Sequence, residues 1–350
     1  MEQLRVGVIG LGRMGQQHCR VYSGLRRAQL VGVCDSLPAA GQEMTRRYDV
    51  PFYAKVGDLL DRVDAVSVVT PTSSHYEIAM ECVGRGTHML LEKPFAQTVE
   101  QGEALLQAIQ GSPTIVQVGH IERFNPAYTE LKNVLEDRAI LAIAMRRLSA
   151  YGGSNRDVDV IFDLMIHDID LALDLTGRDP TSVSAFGISA HDGAVDHAVV
   201  YLGFDSGPLV TLTASRVTEE KIRSIEVTAL DAYMEADLLN KSISVQRRTT
   251  AEYQAANQRG IKYHQESIVE NIHVPSNEPL FSELQHFVDC VLDDKPSLVP
   301  AGDGLRALRL ATAIRSAAHE RLLGVTRYRR PQPGDLRPMM VPIQLGQDLR

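Results

Sequence analysis

Cysteine is scarce in this chain. There are four residues, Cys19, Cys34, Cys82 and Cys290, dispersed and without a C-x-x-C pair. That argues against a disulfide scaffold or a thiol redox motif; free buried thiols in a reducing cytoplasm are the expectation. No His/Cys grouping has zinc spacing, so no metal is expected. No apolar run approaches the roughly 18 residues that a membrane span needs. The sequence passes straight into a strand-like segment, so no signal peptide is expected. Basic residues are outnumbered, 36 against 44 acidic ones, for a formal net charge of −8. This balance argues against nucleic acid or an anionic membrane surface as a partner. Internal repeats are also missing.

What is present begins at the N-terminus. At 350 residues the chain suggests two domains and can bury roughly three-quarters of its unfolded surface. A short apolar run, residues 4–9, leads into Gly10-Leu-Gly12-Arg13-Met14-Gly15, a G-x-G-x-x-G pattern, and a helix-compatible segment follows. Gly10 permits a tight turn, Gly12 lets the backbone approach a pyrophosphate, and Gly15 lets helix and strand pack closely; the N–H groups at the helix start, from Arg13 and Met14 on, then face phosphate. A second apolar strand, residues 29–34, ends at Asp35, about 20 residues beyond the glycines, where a carboxylate binds the ribose hydroxyls of a dinucleotide. That carboxylate would repel a 2′-phosphate, and the next residue is Ser36 rather than Arg. The expected cofactor is NAD.

Strand and helix signals then alternate to about residue 120, with strands at 65–69, 88–91 and 114–118 and helices at 38–48, 75–83 and 98–110. Ser73 or Ser74 is a candidate cap for the helix at 75, and Thr98-x-x-Gln101 a candidate capping box. Near-continuous apolar strands in a βαβ series imply a doubly wound parallel sheet, with ligands beyond the C-terminal strand ends. Thr70, Thr72, His75, Glu92, Lys93 and His120 all follow strand ends. Lys93, fixed at a strand end before Pro94, suits donation of a hydrogen bond to a substrate oxygen.

The second domain is expected to be α+β. Asn125-Pro126 starts a helix, and 140–149 is a strand. A helix over 157–176 ends at Gly177 and carries Asp163 and His167 at i, i+4 on one face. A carboxylate beside His167 would orient it and make it more basic. From 182 to about 247 repeated strands with short turns imply a large, mostly antiparallel open sheet, whose free face suits an oligomer interface or a substrate wall. Residues 250–279 read as polar and irregular. Helices follow at 279–292 and 302–321, the second expected to return to the first domain. The domains are then 1–121 and 122–325, with a loose tail at 326–350.

Together these residues resemble the Gfo/Idh/MocA family of sugar oxidoreductases over about residues 4–325. The match rests on the glycine motif, Asp35, Thr70-Pro71-x-x-x-His75, Glu92-Lys93-Pro94, Asp163-x-x-x-His167 and Gly302-x-Gly304-Leu-Arg-Ala-Leu. The resemblance implies a Rossmann domain binding NAD through Gly10, Gly12, Arg13, Met14, Gly15, Asp35, Ser36, Thr70, Thr72, His75, Glu92 and Lys93. It also implies Lys93 and His167 as catalytic residues, with Asp163 positioning substrate or His167. Thr72 stands where the family usually has Asn. The segments 119–126 and 163–171 look like the branch that oxidises nucleotide sugars. That implies oxidation of the C3 hydroxyl of UDP-N-acetylglucosamine, with the 3-keto product passed to an aminotransferase for a diamino-sugar lipid A. The alternatives are the uronate nucleotide sugar, a free sugar or inositol, and a non-catalytic NAD- or sugar-sensing regulator. Substrate contacts are expected from Lys93, His120, Arg123, Asn125, Arg147, Asp163 and His167. Arg123, Arg146, Arg147 and Arg156 are candidate cations for a diphosphate, although adjacent strand residues 146 and 147 cannot both face it. A homodimer or homotetramer is a family expectation. A free lysine is protonated at neutral pH, so His167 is the readier base and Lys93 the donor that steadies a developing alkoxide.

Overall fold

The computed structural model describes residues 3–151, 158–191, 193–253 and 262–325. The first sheet contains β1 (Leu4–Ile9), β2 (Ala28–Cys34), β3 (Phe52–Tyr53), β4 (Ala65–Val68), β5 (His88–Glu92) and β6 (Val116–Gly119). All its pairings are parallel, in the order β3-β2-β1-β4-β5-β6. Its strands are apolar on both faces, so both must be covered. The helices that follow them are α1 (Arg13–Tyr22), α2 (Pro38–Tyr48), α3 (Val56–Leu60), α4 (His75–Arg85) and α5 (Val99–Gln110). The chain runs outward from β1 to β3 and then resumes on the other side of β1 with β4. The crevice at that reversal, beyond the C-terminal ends of β1 and β4, is where such sheets hold ligands.

Local signals account for several boundaries. Thr98 Oγ1 accepts from the Gln101 N–H at 3.3 Å and starts α5. Gly86, at φ +69°, ends α4 in the left-handed region. Neither Ser73 nor Ser74 caps α4: the Ser74 hydroxyl turns back to Thr70 Oγ1 and the Pro71 carbonyl, within a 3-10 turn over Thr72–Ser74. The short β3 and α3 were not read from the sequence. Two residues of strand and five of helix carry too little periodicity, and packing on their neighbours defines them.

The second sheet is built on α6 (Pro126–Leu135), β7 (Ile140–Leu148) and α7 (Ile166–Thr176), then β8 (Ser182–Ile188), β9 (His197–Gly203), β10 (Leu209–Ser215), β11 (Ile222–Ala229), β12 (Ala232–Asp237), β13 (Ser242–Tyr253) and β14 (Lys262–Ile272). Helices α8 (Pro279–Leu292) and α9 (Ala301–Glu320) and the edge strand β15 (Leu322–Leu323) close the described chain. The strand order is β14-β13-β12-β11-β7-β10-β9-β8-β15, antiparallel except at β7–β10 and β8–β15. One face carries a core shared by α6, α7 and α9, including Tyr128, Leu131, Ile169, Leu173, Ala311 and Ile314. The segment expected to be irregular at 250–279 instead contributes the end of β13 and all of β14, paired in register. Polar residues there hide a strand that the neighbouring ladder specifies.

Two late helices complete the first sheet's core. Leu280, Leu284, Phe287 and Val288 of α8 join Val6, Val8, Tyr22 and Leu90. Leu305 and Leu308 of α9 join Phe95, Leu105 and Val118. The approach of α9 to α5 is close enough that a Cβ on Gly102 would come within 2.8 Å of Leu305 Cδ1. The packing unit around the first sheet therefore extends beyond residue 121. The tail at 326–350 lies outside the described residues. All four cysteines are free and buried, and among the described residues no helix is long and apolar enough to cross a membrane.

Candidate active site

The glycine loop has the shape that a dinucleotide requires. Gly10 sits at φ +92°, and a Cβ there would come within 2.5 Å of the Val69 carbonyl oxygen. A Cβ on Gly15 would lie 1.8 Å from the Gly10 carbonyl oxygen, so only glycine lets α1 pack this close to the loop. At Gly12 a Cβ would meet nothing within 4 Å, which leaves open space over the turn. Gly12 is the N-cap of α1 and gives no side-chain cap, so the N–H groups at the helix start remain available to phosphate. Asp35, at the end of β2, accepts the Leu11 N–H at 2.6 Å and the Leu37 N–H at 2.8 Å, which holds its carboxylate beside the loop. Ser36 is exposed next to it, and Met14 packs half-buried against the first core. These residues fit an NAD pyrophosphate and ribose.

The ends of β4 and β5 are tied together by His75. Its Nδ1 lies 2.8 Å from the Pro94 carbonyl and its Nε2 2.9 Å from the Thr70 carbonyl. At 1 % exposure the ring positions the two loops rather than offering itself to a ligand. Glu92 turns towards His18, with Oε1 3.4 Å from Nε2, and packs on Gly119, where a Cβ would come within 3.0 Å of it. Lys93 points the other way. Its Nζ donates to the Asp163 carbonyl at 2.9 Å across the gap to the second domain. Lys93, Asp163, Thr72, Phe162 and Gln97 line a cleft of about 480 Å³.

Asp163 does not lie on a regular helix. Residues Ile161–Met165 form a π-turn that runs into α7. Such bulges are frequent at functional sites, and here the turn presents the carbonyl that Lys93 binds. No hydrogen bond joins Asp163 to His167. The expected carboxylate support, and the more basic imidazole that would follow from it, are not found. Burial pushes His167 well below its ordinary pKa, and Lys93, Arg147, His120 and Arg223 push in the same direction. Its Nδ1 is buried without a partner. His167 is therefore held towards its neutral form, and the same burial and cations oppose its protonation. It is not among the residues lining the cleft. Burial also lowers Lys93, aided by Arg147 and opposed by Asp163 and Glu92. Both groups are shifted towards their neutral forms.

The arginines expected to meet a diphosphate are engaged elsewhere. Arg123 is buried and pairs with Asp170 at 2.7 Å, Asp174 at 2.7 Å and Asp303 at 3.4 Å. Arg147 faces α7, buried between Asp168 at 2.6 Å and Glu122 at 2.7 Å. Arg146 stands on the opposite, open face of β7, 3.7 Å from Glu226. Arg156 lies outside the described residues. Asn125 caps α6 through the Ala127 N–H and donates to Glu122 and the Leu238 carbonyl, so its polar atoms are all committed. His120 is 1 % exposed, with neither ring nitrogen hydrogen-bonded, and sits 4.0 Å from Asp170. For Arg123 and Arg147 the physical reason is shared: each sits among carboxylates whose charge it compensates.

Some polar residues of the site escaped the sequence reading. Arg223 on β11 stands directly opposite Arg147 in the antiparallel register. It donates to the Leu148 and Ile222 carbonyls, and burial together with Arg147 pushes it down to about 10. The period-2 pattern was its signal, since it shares a strand face with buried Ile225 and Val227. Glu122 and Asp168 were also missed, as partners of Arg147.

A glycine loop capping α1, an acidic residue at the end of β2, and a lysine facing a histidine-bearing helix across a cleft define an NAD-binding oxidoreductase. Comparison with known proteins agrees. Residues 4–120 match the oxidoreductase family model described as GFO_IDH_MocA, NAD-binding Rossmann fold, and residues 146–233 match the family's C-terminal domain. The chain is 32% identical over 317 residues to the UDP-N-acetylglucosamine 3-dehydrogenase of Acidithiobacillus ferrooxidans, covering 91% of this chain and 98% of that one. A solved structure of that enzyme superposes with a TM-score of 0.83 at 31% identity, over 92% of this chain and 99% of that one. The scyllo-inositol 2-dehydrogenase (NAD(+)) of Bacillus subtilis is 28% identical over 335 residues, covering 89% and 93%. The chain belongs to the Gfo/Idh/MocA oxidoreductase family and is an NAD-dependent dehydrogenase acting on CH–OH groups.

Proposed function

We propose that the protein oxidises the C3 hydroxyl of UDP-N-acetylglucosamine to the 3-keto sugar. The reading is supported by the 32% identity to a UDP-N-acetylglucosamine 3-dehydrogenase across nearly the whole of both chains. The observation that carries the chemistry is Lys93 facing the π-turn of Asp163 across the cleft. NAD, when bound, supplies the hydride acceptor. Lys93 spends one N–H on the Asp163 carbonyl and has two more to offer a sugar oxygen. His167, neutral among cations, takes the hydroxyl proton. Lys93, which lines the cleft, favours the alkoxide as it forms. Proton transfer then sets a cation beside an anion, which offsets the cost of charging a buried imidazole. General-base help of this kind contributes roughly 10²–10⁴ in rate.

The same reading places the product before an aminotransferase that makes a diamino sugar for lipid A, with the protein acting in the cytoplasm as a homodimer or homotetramer. Inositol oxidation is the second reading, favoured by the 28% identity to the scyllo-inositol enzyme. The position of oxidation is tested by reducing the product with borodeuteride and locating the label by NMR. Deuterium at C3 is expected; deuterium elsewhere on the sugar refutes the assignment.

A further inference from the structure

The candidate diphosphate cations named from sequence are paired with carboxylates where the structure describes them, yet the cleft has a second cation besides Lys93. Arg315 of α9 lines it together with Lys93, Asp163, Phe162, Asp159 and Gln97. Its guanidinium carbon lies 5.1 Å from the centroid of the Phe162 ring, which belongs to the same π-turn as Asp163. Other arginines of α9 are neutralised: Arg306 meets Asp179 at 2.9 Å and Arg309 meets Glu103 at 2.7 Å. Among the described residues Arg315 meets no carboxylate. The nearby Asp159 carboxylate is already occupied, accepting from the Val195 N–H at 2.7 Å and facing His319 Nε2 at 3.1 Å.

The guanidinium sits over the Phe162 ring on an exposed side chain, and no described residue takes up its N–H groups. A planar fork held in that way matches two oxygens of a phosphate group. We propose that Arg315 seats the phosphate-bearing end of the substrate, a nucleoside diphosphate, at the outer lip of the cleft whose inner end holds Lys93. The proposal rests on the nucleotide-sugar reading and deepens it. Arg315 touches the part of the substrate that does not react, so it sets affinity and discriminates phosphorylated from free sugars.

The test uses the full-length protein saturated with NAD⁺, so that the cofactor site cannot take the probe. Calorimetric titration with UDP and with uridine is run on the wild type, Arg315→Gln and Arg315→Lys. The wild type is expected to prefer UDP. A charge-assisted pair of this kind corresponds to roughly a ten- to hundredfold change in affinity. Arg315→Gln should therefore weaken UDP by about that factor and leave uridine unchanged, with Arg315→Lys in between. Equal UDP affinity in wild type and Arg315→Gln overturns the proposal. So does a parallel loss for UDP and uridine, or a wild type that does not distinguish them. Turnover of UDP-N-acetylglucosamine is measured separately: its absence in a wild type whose UDP affinity depends on Arg315 refutes the proposed reaction and leaves the phosphate seat standing.

Discussion

Replacing Arg147 by methionine separates a structural role from a substrate-binding one. The guanidinium lies between Asp168 and Glu122, at 2.6 and 2.7 Å, and is 3 % exposed. Burial pushes Asp168 up even with Arg147 present, and its Oδ2 has no partner. Methionine fills much of the space and strands two buried carboxyl groups. Breaking a buried ion pair from one side costs about 3–5 kcal/mol. With an unfolding entropy near 2.1 cal/mol/K per residue, a chain of this length has roughly 0.7 kcal/mol/K at the midpoint, so Tm should fall by about 4–7 °C. Differential scanning calorimetry at pH 7.5 measures this. The double variant Arg147→Met/Asp168→Leu should recover part of the loss, because one stranded carboxyl is gone. An unchanged Tm accompanied by weaker substrate binding would refute the reasoning and return Arg147 to the role of a diphosphate ligand.

Gly15→Ala forces a Cβ to within 1.8 Å of the Gly10 carbonyl and must displace the loop; NAD affinity measured by fluorescence titration should fall at least tenfold, roughly the effect of 1.4 kcal/mol. Lys93→Ala and His167→Ala should each lower turnover by about 10²–10⁴ while NAD still binds; near-normal turnover in either variant removes that residue from the mechanism. His75, His120 and His167 are all lowered, chiefly by burial. As pH falls below 6.5 the unfolded chain takes up protons that the folded chain refuses, so stability is complete above that value and lost on acidification. Each ring that stays neutral costs about 1.4 kcal/mol by pH 5.5. Between pH 7.5 and 5.5 the histidine contribution to Tm falls, so His120→Gln should lose less Tm than the wild type over that window; parallel pH profiles would contradict this.

The parts legible in the sequence were those with a local cause. Gly10, Gly12 and Gly15, the apolar strands β1, β2, β4 and β5, and the caps at Thr98 and Asn125 each follow from short-range sterics or hydrogen bonding. Lys93 was legible because a strand end before proline fixes its place. What escaped depends on partners distant in sequence. Arg123 reads as a free cation until α7 and α9 bring up Asp170, Asp174 and Asp303. The i, i+4 spacing of Asp163 and His167 suggested a pair, and the π-turn left the two without a hydrogen bond. The polar strand β14 carries no alternation of its own, and α8 looks like any amphipathic helix until it meets β1.

The most direct measurement is absorbance at the NADH band for purified protein with NAD⁺ and UDP-N-acetylglucosamine, with the uronate nucleotide sugar and inositol run in parallel. A carbonyl trap or a coupled aminotransferase draws the uphill oxidation forward. The account predicts NADH formation with UDP-N-acetylglucosamine alone. NADH formation with inositol and none with the nucleotide sugar would contradict it.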